Sequence, residues 1–214
     1  MQLLAKDGVY ISDFPREIAT APIPAAGRAD VMVRCPTADT YTVSDWDGTL
    51  LHLDVGGDAV TPGELPDSWT FTLPDYLTSL INEPVKNECS CSTSFQVNCA
   101  QNENGQNVNC VNNNPFDASR YIHTVVLGEV VERELNNLNA HPYHQHVYPF
   151  QIIDGVGGLT DANDTAYFQQ GDWHDVLMID SLPPRQGGGG GGVTAVTTRY
   201  RATQHLGKIM LHVS

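Results

Sequence analysis

Basic residues are scarce in this sequence. Lys and Arg together number 11 against 25 Asp and Glu, a formal net charge of −14. A phosphate backbone would be repelled rather than held, so no nucleic-acid partner is expected. The ordinary meaning of such acidity is a solvated surface, although it would also draw in cations. Long apolar runs are lacking too: no stretch approaches the ~20 apolar residues of a membrane-spanning helix, and no transmembrane segment is expected. Residues 1–11 have no basic opening, apolar stretch or small-residue cleavage site of a signal peptide, and read instead as a strand entered midway. The six consecutive glycines at 187–192 make no phosphate cradle, because no strand feeds them and no helix carrying Lys-Ser/Thr follows. They read as a flexible loop expansion.

What recurs is short β-branched and apolar runs between turn residues, the mark of an all-β chain. Residues 1–45 supply Leu3-Leu4, Val9-Tyr10-Ile11, Val31-Met32-Val33 and Tyr41-Thr42-Val43. That is half a domain, whose apolar face is expected to lack a partner. Residues 46–88, broken by Gly56-Gly57, Pro62-Gly63, Pro66 and Pro74, read as further strand and linker, with a short helix over 75–80 capped by Asp75. Residues 121–135 predict two strands bent about Gly128, the second setting Val131, Arg133 and Leu135 against Glu132 and Glu134.

Between these lies a polar stretch, 87–114, rich in Asn, Ser and Gln and holding Cys89, Cys91, Cys99 and Cys110. It is too poor in apolar residues to bury a core and reads as an inserted surface loop. Four cysteines allow two local disulfides in three pairings. A zinc knuckle is the competing reading. The single-residue gap in Cys89-Ser90-Cys91 and the want of a nearby histidine favour disulfides. Cys35 is left over.

Three of the eight histidines fall within six residues, His141-Pro142-Tyr143-His144-Gln145-His146, followed by a strand-like run into Phe150-Gln151-Ile152-Ile153. Side chains alternate along a strand, so His144 and His146 share a face and His141 lies on the other. One segment could serve two metal centres. A single histidine is usually a satisfied core or surface residue. A His-x-His pair also occurs in zinc sites and in cupins, where Gln151 could add a ligand.

The pattern H-P-x-H-x-H-x-x-x-F-Q resembles the copper motif of the last cupredoxin domain of multicopper oxidases, the group that includes laccases, ascorbate oxidases, bilirubin oxidases and ferroxidases. Flanking segments resemble the same family: Gly27-Arg28-Ala29-Asp30-Val31-Met32-Val33, Asn137 leading to His141-Pro142, Trp173-His174-Asp175-Val176, Arg199-Tyr200-Arg201, and Gly207-Lys208 leading to His212. The resemblance implies a cupredoxin-like Greek-key β-sandwich, one nearly complete domain preceded by part of another. It implies His141 as a ligand of a type 1 copper, His144 of the type 2 copper, and His146 and His212 of type 3 coppers. His174 stands where the family has Arg, and is expected either behind a ligand or on the surface rather than on the metal.

The second motif of the family reads H-C-H-x-x-x-H, and here the sequence gives His212-Val213-Ser214. Val213 occupies the thiolate's place and Ser214 that of a further histidine. The expectation is therefore a fragment: residues 1–60 the end of a second cupredoxin-like domain, 61–118 a linker with the Cys-rich insertion, and 119–214 the last, plastocyanin-like domain. A first domain carrying more histidine pairs would be needed to complete a set of up to four coppers, and the missing parts are expected in a longer transcript. The implied activity is one-electron oxidation of a phenol or metal ion coupled to reduction of O₂ to water, with this chain inactive alone. A non-catalytic copper-binding protein and a cupin-type metalloenzyme are the alternatives. By family and cysteine usage an extracellular, periplasmic or secretory location is expected.

Overall fold

The structure, a computed structural model, describes residues 1–45, 47–61, 63, 72–85, 93–136, 141–156, 159, 162–178 and 195–213. β1 (Gln2–Lys6) turns through Asp7 and Gly8, with φ of 50° and 81°, into β2 (Val9–Tyr10). Asp-Gly favours this two-residue hairpin because a turn with both residues at positive φ matches the twist of the strands. β3 (Arg16–Glu17) and β4 (Ala29–Met32) both pair antiparallel with β1. β5 (Asp39–Ser44) and β6 (Thr49–Val55) form a separate hairpin. Asp45 sets its turn by accepting the N–H groups of Asp47 and Gly48 at 2.9 Å each.

The segment that follows departs from expectation. A 3₁₀ turn at Asp75–Leu77 stands in place of the helix, entered from Pro74 and with no side-chain cap. The stretch read as a loop is a hairpin: β7 (Thr93–Gln101) and β8 (Asn107–Val111) pair antiparallel, with β9 (Asn114–Pro115) beyond. Its start joins a larger sheet, Thr93 lying opposite Leu135 in parallel pairing. A ladder satisfies its own backbone whatever the side chains, and Asn102 closes the turn by accepting the N–H groups of Asn104 and Gln106 at 3.0 Å each. One of the expected disulfides, Cys99–Cys110, crosses the two strands; Cys89 and Cys91 lie outside the described residues, as does the glycine run. Residues 121–127 form no strand, so only the second of the two strands expected about Gly128 exists.

That strand is β10 (Val130–Asn136). After it come β11 (Tyr143–Gln145), β12 (Phe150–Asp154), the short helix α1 (Ala162–Tyr167), β13 (Trp173–His174), β14 (Val176–Leu177), β15 (Ala195–Arg201) and β16 (Leu211–Val213). Seven strands run in the order β13-β12-β15-β10-β7-β8-β9, and a second sheet runs β14-β11-β16. Neighbours distant in sequence are the signature of Greek-key winding. β15 alternates without exception, Val196, Thr198 and Tyr200 inward against Thr197, Arg199 and Arg201 outward. Val131, Phe150, Ile152 and Val196 from the larger sheet meet Tyr143 and Leu177 from the smaller in one core, each such buried side chain contributing about 1.5–3 kcal/mol.

The apolar face of the N-terminal sheet is covered, contrary to expectation. Leu3, Ile11, Phe14 and Ile18 are buried in that same core. Exposed apolar residues of this part include Tyr10, Val31 and Val33, and Leu50, Leu51 and Leu53 on the β5–β6 hairpin.

At Gly155 the chain leaves β12 with φ +98°, and a Cβ there would meet the Ala195 carbonyl oxygen and lie 2.8 Å from Val196 Cα. Neither a left-handed φ nor a clash with backbone can relax cheaply. Gly155→Ala is expected to lower stability by about 2–4 kcal/mol, read as a shift in the denaturant midpoint.

Candidate metal centre

β11 lies between β14 and β16, and its period-two alternation decides which side chains meet. Tyr143 and Gln145 point inward, the Tyr143 hydroxyl donating to Gln145 Oε1 at 2.8 Å and Gln145 Nε2 to the Tyr148 carbonyl at 2.7 Å. His144 therefore points the other way, directly opposite His212 of β16 in the ladder. His146 follows in a bend, its N–H donating to the Met210 carbonyl at 3.1 Å. Its own carbonyl accepts the Tyr148 N–H at 2.9 Å across Val147, which has φ +73°. A β-branched residue in that region is strained, and the three-residue turn is what holds it there.

The result is three imidazoles on one surface. Ring centroids of His144 and His146 lie 4.7 Å apart, those of His144 and His212 5.1 Å, and those of His146 and His212 5.3 Å. One ring nitrogen from each falls within 4.8 Å of the others, a set that could hold a metal ion. His144 and His212 are half-buried and His146 is exposed. An open depression of about 370 Å³ gives access, lined by His144 and His146 together with Asp7, Val9, Leu77 and Asp175.

His144 Nδ1 lies 3.0 Å from the Asp175 carbonyl oxygen. A carbonyl can only accept, so Nδ1 carries the proton and Nε2 is the nitrogen with a lone pair to give. Burial, then the neighbouring His144 and His146 rings, hold the His212 pKa below its usual value. Neutral imidazole is the form that binds metal. The donor set fits copper, which favours imidazole nitrogen over the other divalent metals of its series.

Of the residues singled out from sequence, His144, His146 and His212 come together, and the half-buried His141 is not in their group. Gln151 is no ligand: buried, it accepts the Leu80 N–H at 2.6 Å and donates to the Gly171 carbonyl at 2.8 Å. His174 is not on the surface but 2 % exposed, its Nδ1 3.4 Å from Asp7 Oδ2. Arg28 grips Asp175 through both terminal nitrogens at 2.8 and 2.6 Å. The sequence reading missed Asp175 as the partner of His144 and missed Asp7 altogether. The one local signal was the Asp7-Gly8 turn, which marks a hairpin tip but not what it touches.

Burial first, then the Lys6 charge, hold the His174 pKa below its usual 6.5 against the pull of Asp7. Burial, then Arg133, lower His123 to about 4. The unfolded chain takes up protons first at both positions. The stability they contribute is present above about pH 6.5 and is lost as pH falls below it. The metal-free chain should therefore melt lower at pH 5 than at pH 7.5, and His174→Gln should flatten that dependence.

A β-sandwich that brings three imidazoles together across the paired strands β11 and β16 fits the cupredoxin-like class. More narrowly, the chain belongs to the multicopper oxidase family, whose model matches residues 88–212. Similar solved structures include a multi-copper oxidase from Pediococcus acidilactici, 18% identical over 99% of this chain and 40% of that one, with a TM-score of 0.55. The McoA multicopper oxidase of the hyperthermophile Aquifex aeolicus is 16% identical over 99% of this chain and 45% of its own, at 0.57. Lac15 from a marine microbial metagenome is 17% identical over 99% and 45%, at 0.51. At these identities the likeness is one of fold, and the chain spans less than half the length of each. No curated protein sequence matches the chain significantly.

Proposed function

We propose that this chain is the copper-ligating part of a multicopper oxidase, an oxidoreductase that couples one-electron oxidation of a phenol or a metal ion to the reduction of O₂ to water. The convergence of His144, His146 and His212 carries the reading. His144 would serve a type 2 copper through Nε2, His146 and His212 would serve type 3 coppers, and His141, lying apart from them, would serve a type 1 copper. When bound, copper supplies the one-electron chemistry. The chain's own residues hold the His144 imidazole in one orientation and leave one side open to the depression. Residues 1–60, 61–118 and 119–214 are proposed as the end of one cupredoxin-like domain, a linker with insertion, and the last such domain. Three imidazoles leave the cluster short of donors, so histidines outside this chain would complete it. An oxidising compartment outside the cytoplasm suits the Cys99–Cys110 disulfide.

Oxygen consumption by the copper-loaded chain is the test, with a phenol and with Fe(II) as donors in parallel. The chain alone is expected to bind copper and consume no O₂ above background. Turnover only after adding a cupredoxin domain that carries further His-x-His pairs supports the reading. Copper binding with no turnover in either form favours a non-catalytic copper protein. A second expectation concerns colour: Val213 stands where the family has a thiolate, so no intense blue band should develop. A strong blue band would mean that a cysteine reaches the metal.

A further inference from the structure

We propose that Asp7, at the tip of the β1–β2 hairpin, is a positioning residue for His144, fixing the peptide of Asp175 whose carbonyl orients the imidazole. This rests on the reading of His144 as a metal ligand. Nothing in the copper motifs points to residue 7.

Asp7 is placed by its turn, and its own N–H donates to the Arg28 carbonyl at 3.0 Å. Its side chain is 3 % exposed, so its oxygens need partners from the protein. Oδ1 accepts the Arg28 N–H at 3.0 Å. Oδ2 accepts the N–H groups of Asp175 at 3.1 Å and Val176 at 3.2 Å, with His174 Nδ1 at 3.4 Å. Burial raises the Asp7 pKa, but these donors outweigh it and hold the carboxyl below its usual value. The carboxylate thus grips the bend between β13 and β14 from behind.

Asp175 is that bend. Its N–H is held by Asp7 and its carboxylate by Arg28. Its carbonyl faces the other way and accepts both the Gln145 N–H and His144 Nδ1, each at 3.0 Å. One peptide unit therefore separates the Asp7 carboxylate from the hydrogen bond that selects the tautomer of His144. Partners of this kind, one step behind a ligating histidine, fix which ring nitrogen is free, and losing them typically costs about 10–100-fold in metal affinity. A purely structural residue would hold the bend without changing the imidazole.

The experiment compares the chain with Asp7→Ala, Asp7→Asn and Gln151→Ala. The last is a control that breaks the buried clamp on Leu80 and Gly171, away from the imidazoles. Long-range proton–nitrogen NMR of the metal-free proteins reads the tautomer of His144, and competition titration with Cu(II) reads affinity. Asp7→Ala is expected to move His144 from the Nδ1–H form toward a mixture and to weaken Cu(II) binding about 10–100-fold, with Asp7→Asn in between. Gln151→Ala is expected to lower thermal stability while leaving tautomer and affinity unchanged. An unchanged tautomer and affinity in Asp7→Ala would overturn the proposal; if that variant does not fold, the same result in Asp7→Asn overturns it. Should the parent chain bind no Cu(II), the metal reading fails, and the tautomer comparison alone decides the role of Asp7.

Discussion

Replacing His144 and His146 together by alanine should weaken Cu(II) binding by at least about a hundredfold, since loss of mere supporting partners already costs 10–100-fold. His-x-His on a strand puts two imidazoles on one face, and the cross-strand register puts His212 opposite the first. The three act as one chelate, with ring nitrogens within 4.8 Å of one another. Removing two leaves His212 as a single imidazole, which has no advantage over any surface histidine. His141→Ala is the informative companion. It lies outside the group and should leave the tight site within a few-fold of the parent. Lowering the pH should weaken binding in the parent, because protons compete for the ring nitrogens. Equal affinity of parent and double variant would sink the assignment of these residues as ligands. A large loss in His141→Ala would instead place that residue within the same site.

The core of this site was legible because it depends on local periodicity. Two histidines two apart on a strand must share a face, and the run from Gly207-Lys208 to His212 marked a third. The alternation of β10 was equally plain, whereas the strand at Arg199-Tyr200-Arg201 and the sandwich came from the resemblance to the family. What the sequence hid lies in contacts between distant segments. Asp7 and Asp175 are 168 residues apart, and no spacing rule connects them. The β7–β8 hairpin was hidden for a different reason. Composition argues about cores, and this hairpin is held also by backbone pairing, Asn turns and a disulfide, which composition does not report. The covered face of the first sheet belongs to the first kind: Leu3 and Phe14 are unremarkable in sequence, and only the larger sheet's core shows what they pack against.

Asp172→Ala is expected to be the most destabilising of the substitutions considered, by about 3–5 kcal/mol, or about 6–20 °C in Tm for a chain of this size. Asp172 is fully buried and accepts from Lys6 Nζ, from both terminal nitrogens of Arg16 at 2.9 and 2.8 Å, and from the Gln169 N–H at 3.0 Å. Lys6 and Arg16 are themselves 0 % and 6 % exposed in their side chains. They come from the N-terminal sheet, whereas Asp172 precedes β13, so this carboxylate fastens the first segment to the sheet that bears the site. Removing it strands the buried Lys6 cation and takes one of two carboxylate partners from Arg16. Arg16 keeps Asp13 as a partner, and among the described residues Lys6 keeps the Tyr167 carbonyl, at 2.6 Å, as its one hydrogen-bond acceptor. Burial already draws the Lys6 pKa down to about 8, against the pull of Asp172. Without Asp172 it falls further, and the sign of the pH dependence follows. The unfolded lysine holds its proton up to its usual 10.5, so between the folded and unfolded values the unfolded state binds more protons and stability rises with pH. The deficit of Asp172→Ala should therefore be smaller at pH 9 than at pH 6.5. Lys6→Met separates charge from volume: it removes one cation and leaves Arg16 paired with Asp172, and should cost no more than about 1–2 kcal/mol. If it instead costs as much as Asp172→Ala at both pH values, packing at this junction and not the stranded charge sets the stability, and the electrostatic account is wrong.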